Sequence, residues 1–140
     1  MIAAIDFEAA FQNVLRSKIL KAVAKYAPWL VKACKAWYEG MATHIVIDQN
    51  GTPHEIPADR GVDQGCPLGA FLFGVTMRDP AAAVLQLLRE IDPQSAFYMY
   101  LDDGCIFARP EVIERVIAKL IEVFGEVGVK LNMAKIKVWF

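Results

Sequence analysis

The chain has no basic excess, no paired cysteines and no apolar run long enough to cross a membrane, and each absence narrows its function. Fifteen Lys and Arg against sixteen Asp and Glu leave a formal net charge of -1. A protein that holds nucleic acid unaided usually carries a basic excess or a clear basic stripe, so a duplex-binding domain of this charge is expected to need help with its grip. Cys34, Cys66 and Cys105 are odd in number, widely spaced and free of any Cys-x-x-Cys pair. They read as buried thiols rather than a disulfide frame or a zinc site. The longest apolar stretches, such as Ala70 to Met77, fall far short of the roughly 18 residues of a membrane span. The opening Met-Ile-Ala-Ala-Ile-Asp meets a carboxylate too early for a signal peptide and has no basic stretch before it. An intracellular chain, nuclear or cytoplasmic, with no membrane partner is expected. Low-complexity segments, internal repeats and linkers are also missing.

What is present suits one compact domain spanning residues 1–140, because 56% hydrophobic and 22% charged residues over 140 positions suffice for a real core. Met1 to Ile5 reads as a short buried strand stopped by Asp6. From Ser17, Ile19, Leu20, Val23 and Tyr26 recur at helical spacing, with Lys18, Lys21 and Lys25 on an outer face that is solvated or in reach of phosphate. Pro28 opens a second helix whose stripe of Trp29, Leu30, Ala33, Cys34 and Trp37 is expected in the core, and Gly40 ends it. Thr43 to Asp48 and His54 to Pro57 flank Asn50-Gly51, a hairpin signal, and His44 and His54 within it read as ordinary strand residues. After the glycine-rich turn at 61–65, Pro67 starts a long helix that Pro80 is expected to kink or divide. Phe97 to Leu101 and Cys105 to Ala108 form a hairpin with Asp102-Asp103-Gly104 at its tip. Glu111 to Glu126 is the clearest amphipathic helix, with Val112, Ile113, Val116, Ile117, Leu120, Ile121 and Phe124 on one side and Gly128 closing it. Lys130 to Phe140 reads as strand or extended chain. This order predicts an α+β fold, with helices packed on one face of a mainly antiparallel sheet.

Adjacent aspartates on a tight turn repel and raise each other's pKa unless a counter-charge balances them. Turns favour Asp for local reasons too. Here Asp102 and Asp103 follow the apolar run Phe97 to Leu101, which is expected to be buried and to hold the tip rigidly, and Asp6 ends a strand that can lie beside it. Three hard carboxylates suit two Mg²⁺ ions, with Mn²⁺ as a substitute, in the arrangement that stabilises attacking and leaving oxygens of a phosphoryl transfer.

Four segments resemble, in order, the palm motifs of reverse transcriptases. Asp6-Phe7-Glu8-Ala9-Ala10-Phe11 is similar to the first, Arg60-Gly61-Val62-Asp63-Gln64-Gly65-Cys66-Pro67-Leu68-Gly69 to the second, Tyr100-Leu101-Asp102-Asp103 to the third, and Gly128-Val129-Lys130-Leu131-Asn132 followed by Lys135 to the fourth. The flavour is that of retroelements lacking long terminal repeats, with group II intron enzymes as neighbours. The resemblance implies an antiparallel palm and RNA-directed DNA polymerisation, with an RNA template, a DNA primer and a deoxynucleoside triphosphate (dNTP) as partners.

It also implies roles. Asp6, Asp102 and Asp103 would hold the metals, and Phe11 would exclude a sugar 2′-hydroxyl. Gln64, Gly61 and Gly65 would border the nascent base pair. Lys135 would meet the triphosphate or protonate the leaving pyrophosphate. Two departures stand out: Asp63 adds negative charge where relatives have a basic or neutral residue, and Ala70 replaces a common proline. The family's fingers and thumb would lie outside these 140 residues. A chain of this kind is therefore either a polymerase domain or a non-catalytic retroelement remnant, inactive alone.

Overall fold

The structure, a computed structural model, describes residues 1–40, 42–63 and 65–140. Strand β1 (Ile2–Glu8) runs through the centre of the main sheet. Its buried positions alternate: Ala3, Ile5 and Phe7 face inward, while Ala4 and Asp6 lie on the other face. Antiparallel partners flank it on both sides. Strand β5 (Asp103–Phe107) pairs along one side and carries β4 (Ala96–Tyr100) beyond it. On the other side β6 (Lys130–Leu131) pairs with Phe7 and Glu8, and β7 (Lys137–Trp139) pairs with Ile2 to Ala4.

Among the described residues five α-helices follow in chain order: α1 (Ala10–Asn13), α2 (Arg16–Tyr26), α3 (Val31–Tyr38), α4 (Gly69–Ile91) and α5 (Ile113–Gly125). Helices α4 and α5 set Leu72, Phe73, Met77, Val84 and Leu88, with Val116, Leu120 and Phe124, into the core that contains the inner sheet residues. Each such side chain, fully removed from water, contributes on the order of 1.5–3 kcal/mol. The ring of Phe7 sits 4.7 Å from that of Phe124, one direct link between sheet and α5. The expected α+β architecture with helices on one face is what forms.

Several local expectations change. Strand β1 continues past Asp6 to Glu8, so Asp6 sits inside a strand. Helix α4 is not divided at Pro80: it runs 23 residues unbroken, because buried side chains on both sides of the proline hold one stripe against the core and outweigh the missing hydrogen bond. That helix is also long and apolar enough to cross a membrane by length and composition, beyond what the run Ala70 to Met77 suggested. Trp29 and Trp37 are not core residues, being 76% and 58% exposed; Cys34 and Tyr38 are the buried positions of α3. On α5, Ile121 faces outward and Val123 takes an inner position. The expected hairpin forms as β2 (Ala42–Ile47) and β3 (Pro53–Ala58), a separate two-stranded sheet. Both histidines meet carboxylates there: Nε2 of His54 lies 3.0 Å from Asp48, and that of His44 lies 3.6 Å from Asp63.

Candidate active site

The ladder between β1 and β5 sets Asp6 directly opposite Asp103. Directly opposed residues of an antiparallel pair share a face, and here it is the face away from the helices, shared with Ala4 and Cys105. Gly104 makes this close pairing feasible, because a Cβ there would lie 2.6 Å from Ile5 Cγ1. The hairpin between β4 and β5 is tighter than Asp-Asp-Gly suggested. Tyr100 pairs with Asp103, so only Leu101 and Asp102 form the loop, and Leu101 takes φ +56°. A two-residue hairpin needs a positive φ at its first loop position to match the strand twist. Leucine adopts it at a cost of about 1–2 kcal/mol.

Asp6 is one-quarter exposed and anchored from the C-terminal segment. Lys135 Nζ lies 3.1 Å from Asp6 Oδ2, and the Asn132 side-chain amide donates to the same oxygen at 3.4 Å. The Asn132 backbone N–H donates to the Asp6 carbonyl at 2.8 Å. The structure thus brings Asp6, Asp103 and Lys135 together, with Lys135 on the carboxylate itself.

Asp102 lines a neighbouring pocket of about 340 Å³ with Ala9, Phe11, Val62, Gly65 and Cys66. Phe11 is partly buried and stacked on Phe73, centroids 4.3 Å apart, so it is at once a packed ring and part of the pocket wall. Gly65 has φ +89° with open space where a side chain would stand. Gly61, also at positive φ, makes room for its own chain: a Cβ would lie 2.6 Å from the Gln12 carbonyl oxygen. Gln64 lies outside the described residues.

The first and second motifs are tied together by backbone hydrogen bonds from Gly61 N to Val14 O, 2.7 Å, and from Val62 N to Phe11 O, 2.9 Å. Arg16 reinforces that tie and was not singled out in the sequence. Its guanidinium, 4% exposed, donates from Nε to the Gly61 carbonyl at 3.2 Å and pairs through Nη2 with Asp63 at 3.4 Å. Its position on the stripe Arg16, Ile19, Val23 was the available signal, since a charge in phase with the buried face needs a partner. The unusual Asp63 is that partner. Beneath the loop, burial and the nearby Cys66 push the Tyr38 hydroxyl well above the ordinary tyrosine range.

Divalent cations fit this donor set in kind, since all three carboxylates offer hard oxygens and two are opposed on one ladder. A preformed triad is not seen: among the described residues no three His, Cys, Asp or Glu side chains converge tightly enough to hold an ion. Lys135 occupies one oxygen of Asp6 at 3.1 Å, where an ion would have to displace it.

The family model for reverse transcriptase (RNA-dependent DNA polymerase) matches residues 1–140. The chain is 30% identical over 139 residues to the retrotransposable element SLACS 132 kDa protein of Trypanosoma brucei gambiense, covering 98% of this chain and 11% of that protein. In fold it is similar to telomerase from Candida albicans, solved in complex with a fragment of telomeric RNA, at TM-score 0.77 and 14% identity over 99% of this chain and 26% of that one. Apo telomerase from Candida tropicalis truncated from its C-terminal domain gives TM-score 0.78 at 15% identity over 97% of this chain and 30% of that one. The chain therefore spans about a tenth of the curated relative and between a quarter and a third of these solved chains.

Proposed function

The chain belongs to the reverse transcriptase (RNA-dependent DNA polymerase) family, and from that membership we propose that it is the catalytic palm of an RNA-directed DNA polymerase of a retroelement lacking long terminal repeats. The observation that carries the proposal is the direct opposition of Asp6 and Asp103 on the open sheet face, with Asp102 on the adjoining turn. In this reading Asp6, Asp102 and Asp103 hold two Mg²⁺ ions, with Mn²⁺ as a substitute. When bound, such ions activate the primer 3′-hydroxyl and neutralise charge on the transferred phosphoryl group.

The chain's own residues do the rest. Phe11, held by its stack on Phe73, meets the incoming sugar and excludes a 2′-hydroxyl by steric clash. Gly65, bare on its pocket side, borders the nascent base pair, with Gln64 beside it in sequence. Lys135 starts on Asp6 and, once exchanged off it, carries its ammonium to the triphosphate or to the leaving pyrophosphate. An RNA template, a DNA primer and a dNTP are the partners in this reading, and the protein acts inside the cell, in nucleus or cytoplasm.

A second reading is favoured by the net charge of -1 and by the absence, among the described residues, of a converged carboxylate triad: the chain binds metal or nucleic acid weakly and is inactive alone. Primer extension on an RNA template with Mg²⁺ and dNTPs, together with Mn²⁺ binding, separates the two. Extension lost in Asp102→Asn identifies a sufficient polymerase. Silence with aspartate-dependent Mn²⁺ binding identifies a palm that works within a larger assembly. Silence with no metal binding by folded protein identifies a remnant and refutes the proposal.

A further inference from the structure

The net charge of -1 hides a sharp segregation. Residues 9–38 carry six of the fifteen cations and none of the sixteen carboxylates, leaving nine against sixteen elsewhere. Those thirty residues are therefore +6 and the remainder -7. Within the block Arg16 is buried, Lys25 pairs with Asp79 and Lys35 with Glu39, while Lys18, Lys21 and Lys32 are in no ion pair among the described residues. Two indoles interrupt the basic run: Trp29 and Trp37 are large exposed hydrophobic side chains of this block.

Trp29 stands on the short 3-10 turn Pro28–Leu30 that leads into α3, and Trp37 lies on α3 itself, eight residues further along. Ala33 and Ala36 are too small to cover them, and Lys32 and Lys35 stand exposed alongside. A protein partner would find alanine and lysine between the two rings where an apolar core should be. Flat uncovered rings flanking two exposed ammonium groups, Lys32 without an ion pair among the described residues and Lys35 on a surface pair with Glu39 that a phosphate can displace, instead match the two faces of a single strand of nucleic acid, bases that stack and phosphates that need cations.

The platform is also continuous with the candidate active site. Trp37 lines a cavity of about 280 Å³ with Tyr38, Asp63, Cys66 and Pro67. Asp63 and Cys66 in turn line the pocket that holds Phe11, Gly65 and Asp102.

We infer that the outer face of α3 and the turn before it form a single-stranded RNA-binding surface, in which Trp29 and Trp37 stack bases and Lys32 and Lys35 contact phosphates. Naming the strand as the unpaired template leading to the polymerase pocket rests on the function proposed above; the binding itself does not. The test is fluorescence anisotropy of a labelled single-stranded RNA oligonucleotide with the full 140-residue chain. Truncating each tryptophan to alanine should weaken binding by roughly tenfold, and phenylalanine at the same positions should restore part of it. Lys32→Gln with Lys35→Gln should lower the slope of log affinity against log salt by about 1.4. Asp102→Asn should bind RNA as wild type does, so failure of the metal site and failure of this surface are told apart. No RNA binding by wild type, or equal binding by a Trp29→Ala, Trp37→Ala chain, would overturn the inference. So would an acidic peptide captured through the same tryptophans without RNA affinity.

Discussion

Replacing Gly104 with alanine tests how closely β1 and β5 must approach to set the carboxylate pair. The added methyl would lie 2.6 Å from Ile5 Cγ1, 2.7 Å from Ile5 Cδ1 and 3.3 Å from Phe97 Cε2. Ile5 is 3% exposed and β-branched, so its Cγ1 has few rotamers in which to retreat. Overpacking of this kind costs about 1–3 kcal/mol, which for a chain of this size lowers Tm by roughly 3–10 °C. Ile5→Ala alone removes both clashing atoms but leaves a cavity costing about 2–5 kcal/mol. In the double variant the new methyl enters that cavity, so the two losses should fall short of their sum by about 1 kcal/mol or more. Urea denaturation followed by circular dichroism measures all four corners of the cycle. Asp103 is the next residue to Gly104 and Asp6 the next to Ile5, so Gly104→Ala should also weaken Mn²⁺ binding. A Gly104→Ala chain as stable as wild type, or strict additivity with Ile5→Ala, would refute this reasoning.

Lys135→Met should tighten Mn²⁺ binding roughly 1.5- to 5-fold by removing the ammonium that competes for Asp6, while Lys135→Arg should leave it near wild type; calorimetric titration reads both. Arg16→Ala should cost about 1.5–3 kcal/mol through lost charged hydrogen bonds and speed proteolysis within residues 61–66, with cleavage at wild-type rate as the opposing result. Asp92 is buried; desolvation works against its charge, but the Gln94 amide and the Arg109 guanidinium hold its carboxyl below the ordinary range. Its stabilisation is therefore complete above the unfolded carboxylate pKa of about 3.9 and fades as pH falls through the lower folded value. The stability gap between wild type and Asp92→Asn should be largest near neutral pH and shrink in acid, and a gap that grows in acid would reverse the sign.

The four motif resemblances were legible because each is a short run whose meaning depends on chain order alone, and they named Asp6, Asp102 and Asp103 as the candidate carboxylates. Periodicity also placed the helices, but it supplies a period without a phase when both faces of a helix carry apolar residues. In α3 and the turn before it, the stripes Trp29-Ala33-Trp37 and Cys34-Tyr38 differ by one residue, and the smaller one was buried. Pro80 was read by its local penalty, which long-range burial of Leu72, Met77, Val84 and Leu88 outweighed. The pair Arg16 and Asp63, 47 residues apart, needed the fold to bring it together. The basic block from 9 to 38 was in plain view, yet the near-zero total concealed it.

Mn²⁺ titration of the folded chain, followed by electron paramagnetic resonance, tests the central claim that Asp6, Asp102 and Asp103 form one cation-binding site. The account predicts saturable binding that Asp6→Asn and Asp103→Asn each weaken at least tenfold, with circular dichroism unchanged. Binding indifferent to both substitutions, or none at all in the wild type, would contradict it.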